Sequence, residues 1–478
     1  MSLTENRISP PRAPRLPAGR VAHPAAALAL LVSSHFMLNL DSAIVEVALP
    51  TIKNSFGVGL SELSWVVNAY VLAFGGFLLL GGRLGDILGR RRTFTGGLVL
   101  FALASLLGGV ATTPELVVVA RAAQGLAAAV ISPTALSLLV QIFPNGTPAE
   151  RARRNKALGT LGAVAATGGS AGYFLGGVLT DTLGWEATFL VNVPIAACAA
   201  VCAGRLLPRD EARAAHARLD LVSALTGCTG MTLLVYALLG AESAGIRTPR
   251  TVGFAALALV LLGLFVLRQR RSDDPLFPLR ILKHPAVRGA NAVAALINMA
   301  IGPVIFFLSL YIQQVLAYSP FAAGIAILPI VVSITVASSL TGRLLDRHGP
   351  RAVTVTGLTL FAAGLVWLSQ VSGDAYWAQV LGPECLIGFG GGLVFVTFTV
   401  CGTSGPDDQD SGAASGVLTT SQKIGSAAGL AVLTGIASVA PGGASAASGY
   451  GFAFLAAAVP VLLAVAASAR WIPARPQQ

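Results

Sequence analysis

Asp41, Glu46, Arg121 and Glu384 stand inside long apolar runs of this 478-residue chain. A charge in such a run is costly and needs a partner, water or a proton. Asp41 and Glu46 share the first run, His35-Phe36-Met37-Leu38-Asn39-Leu40-Asp41-Ser42-Ala43-Ile44-Val45-Glu46-Val47-Ala48-Leu49-Pro50. A carboxyl that takes up and releases a proton as access alternates is the part a proton-coupled carrier needs. On a helix the five-residue step turns the two acids roughly 140° apart, so they need not share one cavity. Arg121, in the fourth run, can hold an anion or tune a nearby acid. Gln124, three residues on, shares its face. Glu384, in the twelfth run, follows Pro383 and precedes Gly388, Gly390, Gly391 and Gly392. Asp41, Glu46, Arg121 and Glu384 are therefore the candidates for proton coupling. The plainer readings are a solvated Glu46 near an interface and an Arg121 that only bridges two helices.

Other residues suit positioning. Gly168, Gly172 and Gly176 recur every fourth residue and make a flat stripe for close helix packing, with Gly177 beside it. Asn68, Tyr70, Phe74, Gln124, Phe307 and Tyr311 could line a drug-sized amphipathic cavity. Lys423 is expected to snorkel toward the cytoplasm. A charged turn, Gly82-Arg83-Leu84-Gly85-Asp86-Ile87-Leu88-Gly89-Arg90-Arg91-Arg92, returns as Gly342-Arg343-Leu344-Leu345-Asp346-Arg347-His348-Gly349-Pro350-Arg351. An echo in register reads as a duplicated unit. A carboxylate at such a helix end can accept from N-terminal amides and pair with Arg across an interface. The gating candidates are thus Gly82, Arg83, Asp86, Gly89, Arg90 and Arg91, with Gly342, Arg343, Asp346 and Arg351.

The elements that must hold these residues are membrane spans. The chain is 54% hydrophobic and only 11% charged, against roughly 25% charged in soluble domains. Its charges cluster between apolar stretches of about 20 residues, the length that crosses a bilayer core. Fourteen spans are expected, at 25–50, 62–82, 93–112, 115–139, 157–179, 188–207, 219–241, 251–269, 288–313, 320–341, 352–371, 376–401, 412–438 and 448–469. With that count, 27 of the 32 Lys and Arg fall on the side of the two termini, which the positive-inside rule makes cytoplasmic. The net charge of +11 is therefore topogenic and gives no reason to invoke nucleic acid. The expected organisation is a disordered cytoplasmic tail 1–24, a six-helix half 25–207, an inserted helix pair with its loops 208–287, a second six-helix half 288–470 and a short cytoplasmic tail 471–478. The five cysteines lie in or beside apolar segments and form no CxxC, so neither a disulfide framework nor a metal site is expected.

Taken together, these residues resemble the major facilitator superfamily and, within it, the fourteen-span drug:proton antiporters. The resemblance covers the chain after residue 24. Gly82–Arg92 resembles the superfamily's loop 2–3 motif. Leu40-Asp41 through Ala48-Leu49-Pro50 is similar to the first-span motif of the fourteen-span group, whose proton-linked acid falls on Asp41. Trp65, Ala69 and Tyr70 resemble its second-span pattern. Arg121, Gln124 and Gly125 match the fourth-span motif, whose Arg is linked to proton coupling. Gly162, Gly168, Gly172, Gly176 and Gly177 resemble the span 5 antiporter motif. Gly184-Trp185, Phe189 and Asn192-Val193-Pro194 match the approach to span 6. Three positions depart from the pattern. Glu46 replaces a usual Asn, Tyr173 a usual Pro, and Glu186-Ala187 stand where Arg and an aromatic are usual.

The resemblance implies an all-α polytopic fold of two six-helix halves plus two central helices. It implies a proton-coupled exporter of small amphipathic or cationic organic compounds, either drugs or antibiotic-like metabolites, in the plasma membrane. A dedicated exporter of an endogenous metabolite, amino acid or lipid would use the same machinery. The proton gradient would supply the energy without a cofactor, and a monomer is expected in contact with protons, substrate and membrane lipids. No HExxH, metal cluster or phosphate-binding loop occurs in the sequence, so an enzyme or ATP-driven pump is not expected.

Overall fold

The computed structural model describes residues 23–143, 147–210, 220–244, 248–272, 283–372, 376–403, 411–438 and 446–474. The proposed disordered tail lies, up to residue 22, outside the described residues. The first six spans are α1 (Pro24–Phe56), α2 (Leu60–Leu88), α3 (Arg90–Gly109), α4 (Pro114–Ile142), α5 (Pro148–Leu183) and the broken pair α6 (Glu186–Leu190) and α7 (Asn192–Leu206). Two helices follow, α8 (Leu221–Ala244) and α9 (Pro249–Arg271). The second set comprises α10 (Pro285–Gln314), α11 (Pro320–Ala326) with α12 (Leu328–His348), α13 (Pro350–Leu368), α14 (Tyr376–Gln379) with α15 (Leu381–Thr403), α16 (Ser411–Ser438) and α17 (Ala446–Trp471). These seventeen helical segments fall at the fourteen expected spans. Among the described residues, eleven helices are long and apolar enough to cross a membrane.

Local chemistry sets the boundaries. Proline opens α1, α4, α5, α9, α10, α11 and α13, where its missing N–H costs nothing. Thr113, Thr147, Thr248 and Ser319 cap helix starts through their hydroxyls. Interior prolines explain the three broken spans. Pro194, Pro329 and Pro383 each lack the donor that would reach the carbonyl four residues back. The helices before them end at Leu190, Ala326 and Gln379, within one residue of those carbonyls.

Helix pairing repeats between the halves. In the first half α1 packs on α5 and α7, α2 on α4, and α3 on α4 and α7. In the second, α10 packs on α16 and α17, α12 on α15, and α13 on α15 and α17. The halves meet through α1 and α10, α2 and α16, and α5 with α11 and α12. The extra helices α8 and α9 pair with each other, and α8 lies against α2 and α16. Leu257, Leu259, Val260, Leu264 and Leu267 of α9 are exposed, a face suited to lipid.

The end of the bundle carrying most Lys and Arg is termed the basic end. At the other end the halves are joined. Lys53 donates to Gln314 Oε1 (3.3 Å). Ser309 Oγ donates to the Glu46 carbonyl (3.0 Å), and Gln313 Nε2 to the Val47 carbonyl (3.0 Å).

Candidate functional site

The glycine stripe fixes where the first acid can stand. A Cβ on Gly172 would lie 2.7 Å from both the Ala43 Cβ and the Leu40 carbonyl. A Cβ on Gly176 would lie 2.8 Å from the Ile44 carbonyl, and one on Gly168 2.9 Å from the Phe36 carbonyl. Backbone contact between α5 and α1 is thus built around the turn that carries Asp41. Gly177 points elsewhere. Its Cβ would meet the Pro320 carbonyl at 2.7 Å, across the boundary between the halves. On the other side of α1, Gly125 brings α4 against the Tyr70 carbonyl of α2. That approach sets Arg121 between α1 and α2.

Asp41 and Arg121 form a sealed ion pair. Asp41 has no exposed surface, and Arg121 is 1% exposed. Arg121 Nη1 donates to Asp41 Oδ2 at 2.7 Å. Its Nε donates to the Val66 carbonyl (3.0 Å), and its guanidinium lies 4.1 Å above the Tyr70 ring centroid. Gln124 accepts from Arg121 (2.9 Å) and donates to Asp41 Oδ1 (2.9 Å) and to Ser105 Oγ (2.8 Å). Asn192 Nδ2, from α7, donates to the same Asp41 Oδ1 at 2.7 Å. Both carboxylate oxygens therefore face only donors, the arrangement that an ionised acid requires. A proton added to Asp41 would remove the counter-charge of Arg121 and set a hydrogen against a donor.

Sequence spacing anticipated Asp41, Arg121 and Gln124 but assigned Gln124 to the cavity; it is the bridge inside the acid's cluster. Asn192 and Ser105 were not singled out for this role. Asn192 had a signal, a lone amide in an apolar run just ahead of Pro194. Ser105 had none, because a serine in a span more often bonds to its own helix.

Glu46 makes no hydrogen bond to this cluster, in keeping with the roughly 140° step between it and Asp41. It is half-buried between α1, α5 and α10, and its Oε2 accepts from the Tyr173 hydroxyl at 2.8 Å. Two departures from the family pattern, Glu46 and Tyr173, thus meet each other. Lys423 does not snorkel. It stands twelve residues into α16, about 18 Å along the helix from its start, beyond the reach of its stem. Its ammonium lies 4.9 Å from the Phe74 ring centroid. The stem packs on Gly75, where a Cβ would fall 2.6 Å from the Lys423 Cβ.

Glu384 is buried but far from these groups in the fold. The Tyr376 hydroxyl lies 2.8 Å from Glu384 Oε2 and 2.7 Å from the Ala326 carbonyl. That hydroxyl has one hydrogen to give, so both contacts are satisfied when Glu384 supplies the other. No hydrogen bond joins Glu384 to Asp41 or Glu46. Of the remaining cavity candidates, Tyr70 and Phe74 are stacked edge to face at 5.9 Å, and Asn68 is buried with both amide atoms unpartnered. Phe307 and Tyr311 are enclosed, packed with Phe306 and Tyr450.

The repeated turns also resolve. Gly89 (φ +97°) and Gly349 (φ +78°) take equivalent places, each joining two helices with a positive φ. The side chains of Arg83 and Asp86 lie outside the described residues. The carboxylate that receives the α3 amides is Asp210, which accepts from Arg91 N (2.9 Å) and Arg92 N (3.0 Å). Arg91 Nη2 donates to the Gly204 carbonyl and Arg90 Nη1 to the Ser137 carbonyl (3.2 Å). In the second copy Arg351 donates to the carbonyls of Pro473 (3.2 Å, from N) and Ile472 (2.9 Å, from Nε). Gly342, Arg343 and Asp346 are exposed. These arginine contacts join helices within one half.

A model of the Major Facilitator Superfamily matches residues 31–430. The chain belongs to the major facilitator superfamily. It is a membrane transporter and not an enzyme. It is 40% identical over 458 residues to the cephamycin export protein CmcT of Amycolatopsis lactamdurans, covering 94% of this chain and 92% of that one. It is 38% identical over 410 residues to the puromycin resistance protein pur8 of Streptomyces alboniger, covering 85% and 80%. Among solved structures it is similar in fold to the POT family transporter PepTSo, with a TM-score of 0.68 at 15% identity, covering 93% of this chain and 98% of that one. The superfamily's two-half architecture accounts for the repeated helix pairing and for the duplicated turn.

Proposed function

We propose that this transporter exports small amphipathic organic compounds, drugs or antibiotic-like metabolites, across the plasma membrane by exchange for protons, working as a monomer with both termini cytoplasmic and with no cofactor. The observation that carries this reading is the sealed Asp41–Arg121 pair with Gln124 and Asn192 on the same carboxylate. Protonating Asp41 frees Arg121 and relaxes the join between α1, α4 and α7. Breaking one partner of a buried pair costs about 3–5 kcal/mol, so proton uptake and helix rearrangement have to occur together. The joined far end fits a state whose cavity opens toward the basic, cytoplasmic end. Export is further supported by the relatives' names, two of which concern cephamycin export and puromycin resistance. A narrow substrate range, down to a single endogenous metabolite, is favoured by the 40% identical relative being named for one compound.

The test is uptake into inside-out vesicles or proteoliposomes without ATP, under an imposed pH gradient. Accumulation should follow the gradient, collapse with a protonophore and be lost in Asp41→Asn. Accumulation unchanged in Asp41→Asn would remove Asp41 from the coupling role. Labelling of single cysteines placed near Pro24 and Trp471 from the cytoplasmic side only would support the orientation.

A further inference from the structure

Glu46 and Lys423 stand beside the boundary between the halves and are not part of the sealed cluster. Glu46 belongs to α1 of the first half, and Lys423 to α16 of the second. Both are half-buried, whereas Asp41 and Arg121 are fully enclosed. Lys423 faces α2 of the first half, its stem on Gly75 and its ammonium 4.9 Å from the Phe74 ring centroid, and Glu46 faces α5 and lies beside α10. No ion pair closes between them.

Each charge is held in place by neighbours that do not neutralise it. Glu46 keeps one oxygen on the Tyr173 hydroxyl, and Ser309 and Gln313 of α10 bond to the α1 backbone beside it. Lys423 rests its stem on Gly75 and its ammonium against Phe74. A ring face attracts a cation without cancelling its charge. Asn68, on the same helix as Phe74 and Gly75, adds an amide with both atoms unpartnered. An ammonium at membrane depth with no ion pair closed on it is expensive and is a candidate functional group.

We propose that Lys423 and Glu46 form a two-point receptor for a zwitterionic substrate, Lys423 holding a carboxylate and Glu46 an ammonium, with Phe74 against the apolar body. This rests on the export reading and names its substrate class. One charge from each half makes the bound molecule itself the bridge between the halves. A substrate bearing both charges would engage the two halves at once, and one bearing a single charge would leave the other group unpaired. Charge mismatch of that kind is a strong discriminator, because the rejected molecule leaves a desolvated polar group unanswered.

The experiment compares three matched fluorescent probes: Nε-dansyl-lysine, its methyl ester and its Nα-acetyl derivative. They are a zwitterion, a cation and an anion of nearly equal size. Equilibrium binding is measured on the whole protein in nanodiscs with no gradient. The zwitterion should bind at least 10-fold more tightly than either derivative. Lys423→Gln should remove the preference over the ester, Glu46→Gln the preference over the acetyl compound, and Lys423→Arg should keep both. Thermal unfolding of each variant identifies any that fails to fold, and the probe series on wild type decides the matter without variants. Equal binding of all three probes overturns the proposal. So does a Glu46→Gln/Lys423→Gln double variant with wild-type preference, since the charges would then serve only each other. Binding needs no proton gradient, so charge-selective binding without proton-driven transport would sink the export reading alone. Asp41-dependent transport with no charge preference would sink the receptor alone.

Discussion

The two halves share one helix pairing and differ in what they bury. The first half encloses a set of complementary groups, Arg121, Gln124, Asn192 and Ser105, around the Asp41 carboxylate. The second half encloses aromatic rings, Phe306, Phe307, Tyr311 and Tyr450, and one acid, Glu384, bonded to a tyrosine. Duplication of a fold therefore did not duplicate the chemistry. An ion pair inside a membrane protein is tolerated where every partner is supplied. Four elements, α1, α3, α4 and α7, supply them in the first half. The second half has no described counterpart to Arg121 at the matching helix contact.

The largest expected effect breaks this contrast at its centre. Asp41→Asn should abolish gradient-driven accumulation, a loss of at least 100-fold, while downhill equilibration of substrate continues. Arg121→Ala should lose transport and also lower thermal stability, since an unpaired buried carboxylate costs about 3–5 kcal/mol. In the second half Glu384→Gln keeps a donor for Tyr376, and its transport rate should stay within about threefold of wild type. If Glu384→Gln matched Asp41→Asn, the division of labour would be wrong.

A middle-sized effect tests packing. Gly172→Val pushes a branched side chain into Ala43 and the Leu40 carbonyl. Overpacking of this kind costs about 1–3 kcal/mol, read as a lower melting temperature in detergent. Gly342→Ala meets open space and should leave the melting temperature unchanged.

The smallest effect concerns the repeated turn. Asp210→Ala removes the acceptor for two α3 amides and should cost about 1 kcal/mol, the usual worth of a helix cap. Asp346→Asn, exposed in the second copy, should cost nothing measurable. A large effect at Asp346 would show that the second turn acts in a state other than this one.

How much of this was legible in the sequence differs by kind of residue. The spans were, because twenty apolar residues between charged turns have one stable use in a bilayer. Asp41, Glu46, Arg121 and Glu384 were, because the cost of a charge in an apolar run flags them wherever they stand. The stripe of Gly168, Gly172 and Gly176 announced a close approach, though not that α1 was the helix approached. Asp210 was hidden, since one acid near a run of arginines carries no sign of which helix it caps. Lys423 was misread for a related reason. A lysine in an apolar run looks the same whether it reaches the interface or a ring on another half.

The sequence by itself determined the pattern of spans, the duplicated turn and the identity of Asp41, Glu46, Arg121 and Glu384 as costly groups, because these follow from hydropathy, periodicity and residue type along one dimension. The tertiary structure alone decided partnership. It paired Asp41 with Arg121 and Asn192, left Glu46 and Lys423 unpaired on opposite halves, and set Glu384 apart with Tyr376. Partnership depends on which helix faces which at a given depth. That is fixed by packing between segments more than a hundred residues apart in the case of Asp41 and Asn192, and no local pattern encodes it.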